Sequence, residues 1–403
     1  MKTVAILGTF DSKGNEFLYV KELFEQLGLN TFTIHCGVFD PSFKPDISNK
    51  EVFDAGGFDI SEIQKKKDRA LATDALSKSV EKLVPKLYSE GKFQGIISFG
   101  GTGGTSIATS AMRALPIGVP KIMVSTVASG NTVQYVGTSD IAMFPSIVDV
   151  AGINSISEKV FSNAVFAMSG MLSFELKKEV EKKPLIAATM FGVTTPCIDH
   201  ARKYLESKGY EVIVFHATGV GGRTMESLVE AGFFKGVLDI TTTEWCDELF
   251  GGVLNAGPNR LEAAGRCNVP QVVSVGALDM VNFGPWDTVP KEFSHRNLYK
   301  HNPTVTLMRT TVGENTKLGE KIAEQLNKAK GNTILMIPLK GVSMIDDVGL
   351  AFYGVKEDEA LFDALRKNID TNVVKVFELN NHINDEEFAK MACDKLIELI
   401  ENK

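Results

Sequence analysis

The chain has 403 residues, 44% hydrophobic and 23% charged, proportions of an ordinary globular protein long enough for two domains with separate cores. The net charge of −7 excludes a role in coating nucleic acid, and the densest basic run, Lys65-Lys66-Lys67, is a solvated face. No apolar run reaches the roughly 20 residues of a membrane span, and the start (MKTVAILGTF) reads as a buried strand, not a signal peptide.

Five cysteines (Cys36, Cys197, Cys246, Cys267 and Cys393) are odd in number and widely spaced, without a C-x-x-C. They read as reduced thiols of a cytoplasmic protein, not as a disulfide framework or a zinc site.

The first half alternates strand and helix. Val4 to Leu7 form an apolar run, then Gly8-Thr9-Phe10-Asp11-Ser12-Lys13-Gly14 turns into a helix marked by Phe17, Leu18, Leu23, Phe24 and Leu27. Asn30 to Cys36 is a second strand. Residues 37–67 carry two prolines, two adjacent glycines and no clean period, and are expected to be a long loop. Asp68 to Tyr88 is helical. Ile96 to Phe99 then lead into Gly100-Gly101-Thr102-Gly103-Gly104-Thr105 and an amphipathic helix through Leu115. Glycines let backbone approach a ligand, and the helix start presents free N–H groups and partial positive charge, so a phosphate or carboxylate is the expected guest. Neither nucleotide fingerprint fits: G-x-x-x-x-G-K-[ST] is missing, and G-x-G-x-x-G from Gly101 fails at Ser106. A plain tight turn is the competing reading.

Pro120 to Thr126 is the next strand, closed by Val127-Ala128-Ser129-Gly130-Asn131-Thr132, and Ile141 to Val148 another. In a doubly wound sheet the strand ends share one edge, so three loops are expected to converge there: Thr9–Gly14, Gly100–Thr105 and Thr126–Asn131. Lys13 would neutralise phosphate and Asp11 hold a magnesium water; a solvated lysine and an Asx turn are the alternatives. Gly152 to Glu181 is a long helix with a wide apolar stripe, suited to a domain connector or a dimer contact.

A charged hinge at residues 179–184 resets the pattern, dividing residues 1–181 from 182–403. Strands follow at residues 185–190, 211–216, 236–240, 271–275, 304–308, 333–338 and 373–378. Helices are expected at 196–208, 222–231 and 385–400. The whole reads as α/β with two Rossmann-like lobes, open and mostly parallel sheets, and a cleft between them. In the second lobe His216-Ala-Thr-Gly-Val-Gly221-Gly222-Arg223 is another glycine turn into a helix. With Arg260 it suggests a second anion site clamped by Arg223 and Arg260, with His216, Glu244 and Asp279 as acid–base candidates. The competing reading makes these structural: a hydrogen-bonded strand-end histidine and an arginine paired with internal acids. No metal-ligand spacing such as H-E-x-x-H and no G-x-S-x-G occurs.

The runs GTFDSKG, SFGGTGGTSIAT and STVASGNTVQYVGTSDIAMFPSIVDVAGIN, with HATGVGGRTME, DITTTE and GALDMVNFG, resemble the tomato mosaic virus resistance protein-like ATP-binding family over nearly the whole chain. The resemblance implies ATP with magnesium in the first lobe and a homodimer; it implies no defined reaction. Two uses of ATP stay open: an enzyme acting on a small carboxylate or phosphate-bearing molecule, or a regulatory binding protein.

Overall fold

The structure is a computed structural model describing residues 1–174 and 183–402. It divides into two compact units, Met1–Glu179 and Val180–Lys403.

The first unit runs β1 (Thr3–Gly8), α1 (Gly14–Gln26), β2 (Asn30–His35), α2 (Asn49–Gly56), α3 (Ile60–Lys66), α4 (Arg69–Ser89), β3 (Gly95–Gly100), α5 (Thr102–Arg113), β4 (Lys121–Ser125), α6 (Val133–Val136), β5 (Ala142–Pro145) and α7 (Ser155–Ser173). Its five strands are parallel in the order β2-β1-β3-β4-β5. Strand alternation sorts the core into two faces. Ala5, Leu7, Ile34 and Ile96 point toward α2, α4 and α5, while Val4, Ile6, Ile97 and Phe99 point toward α1 and α7. With both faces covered, the strands read as unbroken apolar runs. The order reverses direction between β1 and β3, and that switch point is where an open α/β sheet leaves a crevice at its carboxyl edge.

Residues 37–67 correct the expectation of a long loop, because they contain α2 and α3. A capping box starts α2: Ser48 accepts from Glu51 N–H and Glu51 from Ser48 N–H. Each helix is of eight residues or fewer, too short for the 3.6-residue period to stand out. Asp59 and Asp68 cap α3 and α4. The expected continuation of the long helix to Glu181 and most of the 179–184 hinge lie outside the described residues; α7 itself starts at an Asn154 cap.

The second unit contains β6 (Leu185–Met190), α8 (Thr195–Ser207), β7 (Glu211–His216), α9 (Val220–Glu230), β8 (Gly236–Thr241), α10 (Glu244–Phe250), α11 (Ala263–Arg266), β9 (Gln271–Gly276), β10 (Met280–Phe283), β11 (Leu298–Asn302), β12 (Val305–Arg309), α12 (Val312–Leu326), β13 (Thr333–Pro338), α13 (Val355–Asn368), β14 (Val374–Leu379) and α14 (Glu386–Glu401). Six strands pair in parallel as β14-β13-β9-β8-β6-β7. The strand expected at 304–308 is not among them: as β12 it pairs antiparallel with β10 and β11 in a separate sheet. Renumbered from its own start, the six-stranded sheet has the order 2-1-3-4-5-6, so both units switch direction at the same place.

Candidate functional site

In the first unit a cavity of about 840 Å³ lies at the switch point. Loops after β1 and β3 form one end: Thr9, Asp11 and Lys13 from the first, Gly100, Gly101, Gly103 and Gly104 from the second. The glycine turn starts α5 at Gly101 without any side-chain cap. Thr105 N–H bonds back to Gly101 O, leaving the N–H groups of the first helical residues without intrahelical acceptors. Thr105 Oγ1 bonds Gly101 O at 2.8 Å and Ser125 Oγ at 2.6 Å, so its role is to pin the turn. A Cβ on Gly100 would press on Gly104 Cα, and one on Gly14 would run into Ser42. Gly14 and Thr102 serve the turns and do not line the cavity.

The loops are tied by one buried histidine. His35 Nδ1 accepts from Phe10 N–H at 3.1 Å and from Gly37 N–H at 3.3 Å, which leaves the ring proton on Nε2 to donate to Phe39 O at 2.9 Å. Phe39 N–H in turn donates to Asp11 Oδ2 at 3.0 Å, while Asp11 Oδ1 is buried with no hydrogen-bond partner. Gly37 is required here, since a Cβ would strike the Asp11 carboxylate and the His35 ring. Lys13 Nζ donates to Val150 O and Gly152 N–H to Glu16, latching the loop that carries Asp149, a further lining residue, to the start of α1. Burial and the Asp11 charge raise the thiol pKa of Cys36, so it lines the wall as an apolar group.

The opposite wall comes from the segment expected to be loop and from α4. Gln64, Lys67, Arg69 and Thr73 line it, with Arg69 and Thr73 nearest Gly103 of the glycine turn, while Ile63, Ala72, Leu76 and Ile107 make an apolar end about one helical turn deeper along α4 and α5. Sequence reading missed these residues. The Asp59 and Asp68 caps and the Ser48–Glu51 box were the available signals. The third expected loop does not arrive. Ser129, Gly130 and Asn131 are exposed and outside the lining, and Thr126 reaches only the back of Gly101. Their strand, β4, lies on the far side of β3 from the switch point.

The second unit's glycine turn already holds an anion of its own. Glu244 Oε1 accepts from Gly219 N–H at 2.6 Å and Gly222 N–H at 3.1 Å, and Oε2 from Arg260 Nε at 2.6 Å. A Cβ on Gly222 would collide with that carboxylate and one on Gly221 with His216 O. Arg260 is 2% exposed and its other N–H groups meet both Asp239 oxygens at 2.5 and 2.7 Å, Glu226 at 3.3 Å and Thr241 O at 3.4 Å. Burial alone would depress its pKa, but the Asp239 and Glu244 carboxylates outweigh that and raise it. All five donors are engaged, which corrects the expectation that Arg260 and Arg223 clamp an outside anion. Arg223 is exposed and bonds Asn255 O at 3.3 Å. The expected acid–base trio is likewise dispersed. His216 is exposed beside Phe191, and Glu244 is locked in its cradle. Asp279 is buried, accepts from Ser343 Oγ at 2.7 Å, and has its pKa raised by burial and by the neighbouring Asp346.

Among the described residues no group of three or more His, Cys, Asp or Glu could hold a metal by itself, and no helix is long and apolar enough to cross a membrane.

The class is thus a two-unit α/β protein with matching sheet orders, one switch-point cavity open and one glycine turn filled from within. The chain belongs to the uncharacterised protein family UPF0261: the family's N-terminal domain matches residues 2–177 and its C-terminal domain residues 183–400. It is 56% identical over 401 residues to a UPF0261 protein of Clostridium tetani, covering 99% of both chains. It is 48% identical over 339 residues to the ToMV resistance protein Tm-1(GCR237) of Solanum lycopersicum, covering 82% of this chain and 45% of the tomato protein. A UPF0261 protein of Rhizobium meliloti is 43% identical over 393 residues, 97% of this chain and 98% of the relative.

Proposed function

We propose that the first unit binds a nucleoside phosphate, ATP with magnesium, in the switch-point cavity. The observation that carries this reading is the cavity's two-ended chemistry. One end offers uncapped helix amides and glycine backbone to phosphates, and the other offers Ile63, Ala72, Leu76 and Ile107 to a base. A volume of about 840 Å³ exceeds what an inorganic anion needs. Asp11 fits the metal: its buried Oδ1 lacks a partner and lines the same end as Asp149. Magnesium bound by one or two carboxylates takes most of its oxygens from phosphate and water, in keeping with a site that has no metal cage of its own. The metal would neutralise phosphate charge there.

Binding, and no reaction, is proposed, because Glu244 and Arg260 are occupied by each other. Homodimer formation belongs to the same reading and is supported by the exposed Phe166, Met171 and Phe174 along and just beyond α7. A cytoplasmic location is supported by five unpaired thiols.

Titration calorimetry with ATP, with and without magnesium, tests the proposal on wild type and on a Gly103→Val, Gly104→Val double variant. The expected result is micromolar binding, about −8 kcal/mol, strengthened by magnesium and lost in the variant. Wild type that takes up no heat with ATP would reject the site.

A further inference from the structure

We propose that Arg69, at the first position of α4, is the residue through which the cavity distinguishes nucleoside polyphosphates from monophosphates; the inference rests on the nucleotide reading above. Arg69 lines the cavity opposite the glycine turn, and its guanidinium NH2 lies 3.9 Å from where a Cβ on Gly103 would stand. Thr73 Oγ1 approaches the same point at 3.9 Å. Among the described residues no hydrogen bond or ion pair engages the Arg69 side chain, nor that of Lys67 two residues before it. Asp68, between them, is committed to capping α4 through Ala70 and Leu71 N–H.

An unpaired guanidinium is therefore held beside the positive end of a twelve-residue helix. A cation at that end of a helix is unfavourable by itself, and a multivalent anion between the two removes the conflict. Arginine's planar fork suits phosphate oxygens. The placement also orders the ligand. Ala72 and Leu76 lie one and two turns further along α4, and Ile107 one turn along α5, so a base in the apolar end directs its phosphate chain toward Gly103. Arg69 then stands at the outer part of that chain, where a monophosphate has no group to offer. Lys13 adds charge from the near wall but is tethered to Val150 O, and Lys67, untethered like Arg69, does not come within 4 Å of the Gly103 Cβ position, which leaves Arg69 as the untethered cation at the helix start.

The test is calorimetry of ATP, ADP, AMP and inorganic tripolyphosphate on the full chain, for wild type, Arg69→Ala and Arg69→Lys. Arg69 is solvent-exposed, so an unchanged thermal midpoint is expected and is recorded for each variant. Loss of one charge-assisted contact predicts that Arg69→Ala weakens ATP about ten- to a hundred-fold and leaves AMP within about two-fold, with Arg69→Lys in between. An equal loss for ATP and AMP, or no loss for either, overturns the role of Arg69 and leaves the nucleotide reading standing. Wild type that binds none of the four overturns both.

Discussion

Replacing Arg260 by leucine tests whether the second unit's glycine turn is a ligand site or an internal ion cluster. The substitution removes five donor contacts and leaves Asp239 and Glu244 buried, at 2% and 1% exposure, without their cation. Breaking one side of a buried pair costs about 3–5 kcal/mol, because the stranded charge keeps its desolvation penalty. At roughly 2–4 °C per kcal/mol for a unit of this size, the second unit's thermal midpoint should fall by about 6–20 °C. Differential scanning calorimetry at pH 7 measures it. A midpoint within about 2 °C of wild type would refute the argument, since an arginine kept for an external anion leaves the unliganded protein's stability unchanged.

Other groups give further tests. Asp247 is held at a pKa of about 7, above its ordinary 3.8, chiefly by burial and despite hydrogen bonds from Asn282 and Leu254; burial and the Asp346 charge likewise raise Asp279 and Asp358. Folded pKa values above unfolded ones mean that stability is full below about pH 4 and lost as pH climbs through 7, by up to about 4 kcal/mol for Asp247. Urea midpoints should therefore decline from pH 5 to pH 8, less steeply in Asp247→Asn; a flat or rising profile counts against the burial argument. In the first unit, His35→Ala should unlock Phe10, Gly37 and Phe39 from one ring, lowering stability by about 2–4 kcal/mol and ATP affinity with it. Full affinity in that variant would show that the loop tie does not shape the cavity.

The parallel sheets were legible because buried strands write themselves as short apolar runs between glycine turns. Val4–Leu7, Ile96–Phe99 and Leu185–Met190 each gave a strand within a residue or two of its observed bounds. Short helices were not legible: α2 and α3 announce themselves only through caps, and the antiparallel β10–β12–β11 sheet has no turn chemistry to separate β12 from the parallel strands. For the site, residue type located the Gly100–Gly104 turn but could not say which neighbouring loop shares its side of the sheet. That depends on strand order, which places β1 and not β4 beside the switch point. Nor could it say whether a glycine turn is vacant, since Glu244 follows Gly222 by 22 residues and meets it only in the fold.

The contrast between the two turns has a physical basis. Both present backbone N–H groups at a helix start, an arrangement that leaves donors in want of an anion. In the second unit β8 ends at Thr241, Thr242 and Thr243 follow it, and α10 begins with Glu244, whose carboxylate enters the turn after β7 and brings Arg260 with it. In the first unit the residue three places past the equivalent strand end, where the second unit has Glu244, is Gly103, and the cations brought near it, Lys67 and Arg69, come from outside the sheet and carry no carboxylate into the turn. A carboxylate supplied in sequence makes the turn part of the core; a cation supplied in its place leaves the turn needing a partner from solution. Placing an acid at position 103 would on this argument convert the open turn into a closed one, with Arg69 as its internal counter-ion.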